Sequence, residues 1–383
     1  MLRSALRMFI PTVGIACATP AQNPALQSPT PESTPGVVHA VTVAQGLVNP
    51  WALEFLPDGR MLVTERPGRL RIVSATGTLS EPLTGVPAVL ARNQGGLLDV
   101  AIDPDFATNH LVYLTYSEPG DEANTASTAV GRGRLTATGL EGFTVLYRQS
   151  PKVQSGGHYG SRIVFGRDGT MWITAGDRQN QRPLVQDLST GIGKIVRINR
   201  DGTTPRDNPF VSREGAVPQI WSYGHRNLQG ATLHPETGRL WTVEHGARGG
   251  DELNHPEAGK NYGWPVITYG VDYSGVRIGE GTAKEGMEQP VYYWDPVIAP
   301  SGMVFYTGDR YPGWRGSLLI GSMTPGALVR LEMAGGRVTR EERYLGDLRV
   351  RVRDVVQGPD GYVYFVNDAP DGNIWRVMPG AQP

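Results

Sequence analysis

One pattern recurs six times after about Val38: a turn containing Gly or Asn, followed by a strand of alternating apolar residues. The copies are PDGRMLVTE (57–65), PDFATNHLVYLTYS (104–117), GRDGTMWITAGD (166–177), PETGRLWTVEHG (235–246), YPGWRGSLLIGS (311–322) and GPDGYVYFVND (358–368). Each is a hairpin signal, because Gly and Asn accept the backbone angles of a tight turn while period-two alternation gives a strand one apolar face. A second strand follows in GRLRIV (68–73), GKIVRIN (193–199), GALVRLEM (326–333) and GNIWRV (372–377). Small sheets repeated along a chain stack radially, which leaves only short edges around a central channel. Six copies therefore predict an all-β fold, a six-bladed β-propeller. The repeat alone leaves a β-sandwich or two separate β-domains open. No segment sustains a helical period and no Pro/Ser-rich linker divides the chain after residue 37, so residues 38–379 read as one domain.

Composition agrees with this. The 50 glycines and 30 prolines, against 19% charged residues, suit a strand-and-turn protein. A formal net charge of −1 with no long basic run gives no electrostatic footprint for nucleic acid.

The N-terminus reads as an address. Arg3 and Arg7 precede an apolar run from Met8 to Ala16, too short to span a bilayer, and Ala16-Cys17-Ala18 supplies a small-residue cleavage site. Residues 1–18 are thus expected to be a secretory signal, 19–37 a disordered Pro/Ser/Thr-rich linker, and the protein periplasmic or held in the cell envelope. Two endings stay open: cleavage after Ala18, or cleavage before Cys17 with a lipid attached there. Gly14-Ile15-Ala16-Cys17 resembles a lipobox, although Gly14 stands where a larger aliphatic residue is usual. Membrane contact is expected only through that lipid. An unprocessed tail is the plainer alternative, and with Cys17 the sole cysteine no disulfide framework exists in any case.

The chemistry concentrates in 221–264, where histidines, arginines and an Asp-Glu pair sit among Trp, Tyr and Gly. Polar groups converging among aromatics and glycines are what a small-molecule site requires. In a propeller, one end of successive blades converges on the axis, so scattered motifs become one constellation. The candidates are Gln94 in NQGGLLD, His158 in GGHYGSRIVFG, Asp177 in TAGDR, Arg226 and Asn227 in SYGHRN, Gly246 and Ala247 in EHGARGGDE, and Arg351 and Arg353 in RVRVRD. His225, His234, His245 and His255 fit no zinc-ligand spacing.

Taken together and in this order, QGGLLD, GGHYGSRIVFG, SYGHRNxQG, GGDELN, GKNYGWP and RVRD resemble the soluble quinoprotein glucose/sorbosone dehydrogenase family, most nearly its aldose sugar dehydrogenase branch. The resemblance covers roughly residues 40–378 and implies a six-bladed propeller that holds pyrroloquinoline quinone (PQQ) with Ca²⁺ over the channel mouth. It implies oxidation of the C1 hydroxyl of aldoses to lactones, with electrons passed to an external quinone, cytochrome or dye. His158 matches the general base, and an imidazole suits that task because its pKa lies near working pH. Glycines 156, 157 and 160 would let cofactor and sugar approach the backbone.

Arg226 and Asn227 match a pair at the quinone, where a guanidinium stabilises developing negative charge. Arg351 and Arg353, alternating along a strand, match contacts to cofactor carboxylates. Gln94 matches a contact near the reacting carbonyl, Tyr273 a cofactor-stacking position and Asp177 a sugar contact. The carbonyls of Gly246 and Ala247 match the ligands of the active-site Ca²⁺, and Glu252 and Tyr262 a second, structural one.

Two positions depart from the family pattern. Thr324 stands where a cofactor-binding lysine is usual, leaving one carboxylate contact to be met elsewhere, with Arg330 a candidate. Gly157 stands where the glucose-oxidising branch often has an acid, which removes a potential partner of the base. A calcium-dependent propeller lactonase and a non-catalytic binding propeller are the alternatives. The first would use clustered Asp/Glu/Asn ligands without the arginine pairs, and the second would lack the base.

Overall fold

The computed structural model describes residues 26–27 and 38–380. The expected signal segment, Cys17 and most of the 19–37 tract lie outside the described residues.

Six sheets of three to five strands, antiparallel but for one short outer pair, form the blades of a propeller. Their innermost strands are Pro50–Phe55, Leu97–Ile102, Gly160–Phe165, Leu228–Leu233, Pro300–Phe305 and Val352–Gln357. Each neighbours the next, and the last neighbours the first, so they ring a central channel. The six repeats found in the sequence are the second strands of the blades: Met61–Glu65, Leu111–Pro119, Thr170–Ala175, Leu240–Glu244, Leu318–Ser322 and Val363–Asn367. The sixth blade is completed by the N-terminal strand Val38–Leu47, which pairs antiparallel with Gly372–Pro379 and closes the ring between distant parts of the chain. One expectation is corrected here. Inside the tract read as structureless, Leu26–Gln27 pairs in parallel with Tyr292–Tyr293, using the free backbone groups of the fourth blade's outer edge.

The blades hold together because the facing sheets are apolar. Trp51, Leu62, Leu97, Leu98 and Leu114 pack between the first two, and Trp241, Trp294, Ile320 and Val329 between the fourth and fifth. Burying each such side chain stabilises the fold by about 1.5–3 kcal/mol.

All six innermost strands carry a register shift at their N-terminal end, as between Gly160 and Ile163 or Val352 and Asp354. A bulge bends the strand and leaves backbone groups without ladder partners. Side chains of neighbouring blades take several of these: Asp99 Oδ2 accepts from Ile163 N at 2.8 Å and Asp354 Oδ2 from Leu53 N at 3.0 Å. The same carboxylates pair with Arg162 Nη1, each at 2.9 Å, and that guanidinium stacks 4.3 Å from the Trp51 ring. This buried cluster floors the channel beneath the site.

Candidate active site at the channel mouth

Because neighbouring strands run antiparallel, the start of each innermost strand and the end of each second strand lie at the same end of the channel. Nearly every functional candidate comes from these two places. Gln94, His158, Arg226, Asn227 and Arg351 precede innermost strands, with Arg353 at the start of one, whereas Asp177, Gly246 and Ala247 follow second strands.

His158 stands at a positive φ of 51°, its backbone N–H donating to Gln94 Oε1 at 2.8 Å. Its Nδ1 lies 2.7 Å from Asp177 Oδ1. Asp177 is fully buried: Oδ1 also accepts from Gln179 N at 2.7 Å, and Oδ2 from Trp264 Nε1 at 2.8 Å. With both oxygens bonded within the protein, Asp177 stands here as the partner of His158, where the sequence reading expected a sugar contact. Burial works against the Asp177 carboxylate, but the bond to His158 and the fields of His158 and Arg226 outweigh it and hold its pKa below the usual range. Burial also lowers the pKa of His158, a shift Asp177 opposes and Arg226 assists. The pair is thus a neutral imidazole on an ionised carboxylate: Nδ1–H donates to Asp177, and the lone pair on Nε2 is left to accept a proton. Gly157 does not leave the base without an acid, because the partner arrives from the next strand.

The glycines around His158 serve the fold itself. A Cβ on Gly160, whose φ is 66°, would meet Gly176 N and Thr174 O at 2.9 Å, and one on Gly157 would meet Gln179 Oε1 at 2.5 Å. The direction a side chain would take is filled by protein at both positions, while Gly160 also lines the cavity described next.

Arg226 is buried; its backbone N–H donates to Glu244 Oε2 at 2.7 Å and Nη1 to the His245 carbonyl at 3.1 Å. The guanidinium faces the Trp264 ring 5.2 Å away, and Nε is buried without a partner. Asn227 Oδ1 accepts from Gly160 N and Gln229 Nε2, leaving its amide N–H groups unspent.

Beside His158 opens a cavity of about 250 Å³, lined by Gln94, Tyr159, Gly160, Arg66, Arg351, Arg353 and Asp368 among others. Arg353 Nη2 and Arg351 Nη2 approach Asp368 Oδ2 at 2.8 and 3.3 Å, and Arg353 Nε is a second buried orphan donor. Orphan N–H groups beside excess positive charge fit an anionic ligand. Arg330 does not reach this cavity. It is locked in the fifth blade against Glu342, Ser317 and the Gly313 carbonyl, because that sheet buries its own acid opposite it. Thr324 is exposed beside Met323, which does line the cavity. Tyr273 is not brought into the constellation either: it is 68% exposed on the rim turn anchored by the Arg182–Asp272 pair.

Of the proposed metal positions, Gly246, Ala247 and Tyr262 are buried and Glu252 is partly buried. Asp251 Oδ1 accepts from Gly246 N at 2.8 Å and Oδ2 from Ile298 N and Ala299 N, which fixes the turn carrying the Gly246 and Ala247 carbonyls. A void of about 10 Å³, room for a single small particle, is lined by Gly246, Glu244, Glu252 and Tyr262. Glu252 is pushed up to about 8, by burial first and then by Glu244. Asn254 Oδ1 is buried without a partner. Oxygen-rich surroundings that raise a carboxyl's pKa and orphan an acceptor fit a hard cation. The Tyr262 hydroxyl bonds Glu257 N and His255 O, which leaves its backbone carbonyl as the oxygen it could offer.

A propeller with a carboxylate-backed imidazole beside a cationic cavity at one channel mouth has the architecture of an enzyme rather than of a bare scaffold. The chain belongs to the glucose/sorbosone dehydrogenase family, an oxidoreductase family, whose sequence profile matches residues 47–376. It is 46% identical over 352 residues to the aldose sugar dehydrogenase YliI of Escherichia coli, covering 91% of this chain and 94% of that one. The crystal structure of the soluble E. coli aldose sugar dehydrogenase in its apo-form superimposes with a TM-score of 0.87 at 46% identity, covering 89% and 99% of the two chains. The PQQ-bound aldose sugar dehydrogenase of Streptomyces coelicolor matches with a TM-score of 0.73 at 28% identity, covering 90% and 99%.

Proposed function

We propose that this protein is an exported aldose dehydrogenase, dependent on PQQ and Ca²⁺, that oxidises the C1 hydroxyl of aldoses to the lactone and passes electrons to an external acceptor. The observation that carries the reading is the neutral His158, fixed by Asp177 beside a guanidinium-lined cavity. The PQQ-bound Streptomyces relative supports the choice of cofactor.

PQQ would supply the acceptor for the hydride that leaves C1. His158 Nε2 takes the proton of the C1 hydroxyl, while Asp177 keeps the ring in the tautomer that can accept it. Gln94 fixes the backbone of the base. Arg226, held by the His245 carbonyl and Trp264, would offer positive charge to a reduced quinone. Arg351, Arg353 and Asn227 are the groups that would hold the cofactor's carboxylates and ring. Ca²⁺ would take the Gly246 and Ala247 carbonyls, and a second ion the Glu252 and Tyr262 neighbourhood. A lactonase would instead need clustered side-chain ligands.

The test is to mix purified apo-protein with PQQ and Ca²⁺ and follow an artificial acceptor across a panel of aldoses. Sugar-dependent reduction that needs both cofactors, and is lost with EDTA and in His158→Ala, is the expected result. PQQ binding without turnover of any aldose would return the binding-propeller reading to the front.

A further inference from the structure

We infer that Arg66 is a third cationic anchor for the polycarboxylate held in this cavity, alongside Arg351 and Arg353; this rests on the cofactor reading above. Arg66 directly follows the second strand of the first blade, Met61–Glu65. Asp368 occupies the same position in its blade and Asp177 lies one residue further along in its own, so the fold brings Arg66 to the channel mouth.

Charge decides what it meets there. Among the residues lining the cavity Asp368 is the one acid, against the guanidiniums of Arg66, Arg351 and Arg353. Arg351 and Arg353 crowd its Oδ2, whereas Arg66 Nη2 lies 3.7 Å from Oδ1, a charge contact too long for a hydrogen bond. Arg66 Nη1 donates to the Asn93 carbonyl, which steadies the side chain at 22% exposure and leaves Nη2 unspent. One carboxylate cannot neutralise three guanidiniums, and like charges gathered in a partly enclosed site favour an anion that completes the balance. A ligand with several carboxylates fits this spread of cations better than one with a single carboxylate. Neither Thr324 nor Arg330 supplies a further cation here, which leaves Arg66 as the third.

The experiment titrates PQQ into the purified Ca²⁺-loaded chain and reads quenching of tryptophan fluorescence, to which Trp51 in the cavity wall contributes. Wild type is compared with Arg66→Gln and Arg66→Lys at low and high salt. Loss of one charge-assisted contact is expected to raise the dissociation constant on the order of 10- to 100-fold in Arg66→Gln, with the salt dependence flattened. Arg66→Lys should fall between. Should Arg66→Gln not fold, as judged by its thermal melt, Arg66→Met, which keeps the apolar stem, carries the same test. Tight binding by wild type with an unchanged constant in the neutral variants overturns the role of Arg66 alone. No binding by wild type overturns the cofactor reading and the anchor with it.

Discussion

Asp177 Oδ1 and His158 Nδ1 lie 2.7 Å apart, one following the second strand of the third blade and the other preceding its innermost strand. The pair forms because those two strands are antiparallel neighbours that pair Gly160 with Ala175. Its acid–base state sets a first prediction. Burial lowers the His158 pKa, and Arg226 adds to that, while Asp177 pulls the other way without restoring the ordinary value of 6.5. In the proposed reaction the neutral ring is the active form, so activity should be present above the folded pKa and be lost as pH falls through it. A profile of kcat/KM against pH should show its acid limb below 6.5. A limb above that value would mean that imidazolium prevails in the free enzyme and that the pair is misread.

Replacing Asp177 by Asn separates positioning from charge. The amide can donate to Nδ1, which moves the proton to Nε2 and removes the lone pair that accepts the substrate's proton. Since a general base contributes about 10²–10⁴-fold, a fall in kcat of at least about tenfold is expected. The acid limb should move further down, because the group that raises the His158 pKa is gone. A purely structural role would lower the yield of folded enzyme while leaving the limb in place.

The sequence made the second and third strands of most blades legible, because each alternates cleanly behind a glycine turn. The innermost strands were harder to read, since a bulge at the start of each breaks the period-two pattern where the functional residues sit. The motif resemblance singled out His158, Arg226 and Arg353, which the fold brings to one channel mouth, but cross-strand partners were out of reach. The resemblance gave Asp177 as a sugar contact, and its bond to His158 could not be seen in TAGDR. Arg66 was overlooked although it directly follows the copy PDGRMLVTE, much as Asp177 ends the copy GRDGTMWITAGD. Aligning the six copies end to end would have pointed to it.

Metal binding should show in stability before it shows in turnover. In the absence of a cation Glu252 sits beside Glu244 with its pKa raised to about 8, a cost to the fold at neutral pH. Ca²⁺ should therefore raise the stability of the apo-protein, by about 2.7 kcal/mol at a hundredfold excess over its dissociation constant, and EDTA should reverse this. Glu252→Gln should melt no lower than wild type without Ca²⁺ and should lose much of the response to it. A variant that responds like wild type would move the second ion away from Glu252.

The channel floor yields the last prediction. Arg162 is buried and pairs through Nη1 with both Asp99 and Asp354, which also cap the backbone N–H groups of Ile163 and Leu53. Arg162→Met keeps much of the volume but leaves two buried carboxylates without their cation. Breaking a buried pair in this way costs about 3–5 kcal/mol, measurable by urea unfolding. The pH dependence tells this from simple mispacking. Asp99 is already raised to about 6, by burial first, with Arg162 the main force holding it down. Without Arg162 its folded pKa rises further above the unfolded one. A group raised in this way contributes its stability below the unfolded pKa and loses it as pH climbs toward the folded value. The deficit of the variant should thus be smaller at pH 5 than at pH 8. A deficit independent of pH would assign the cost to lost packing against Trp51 rather than to charge.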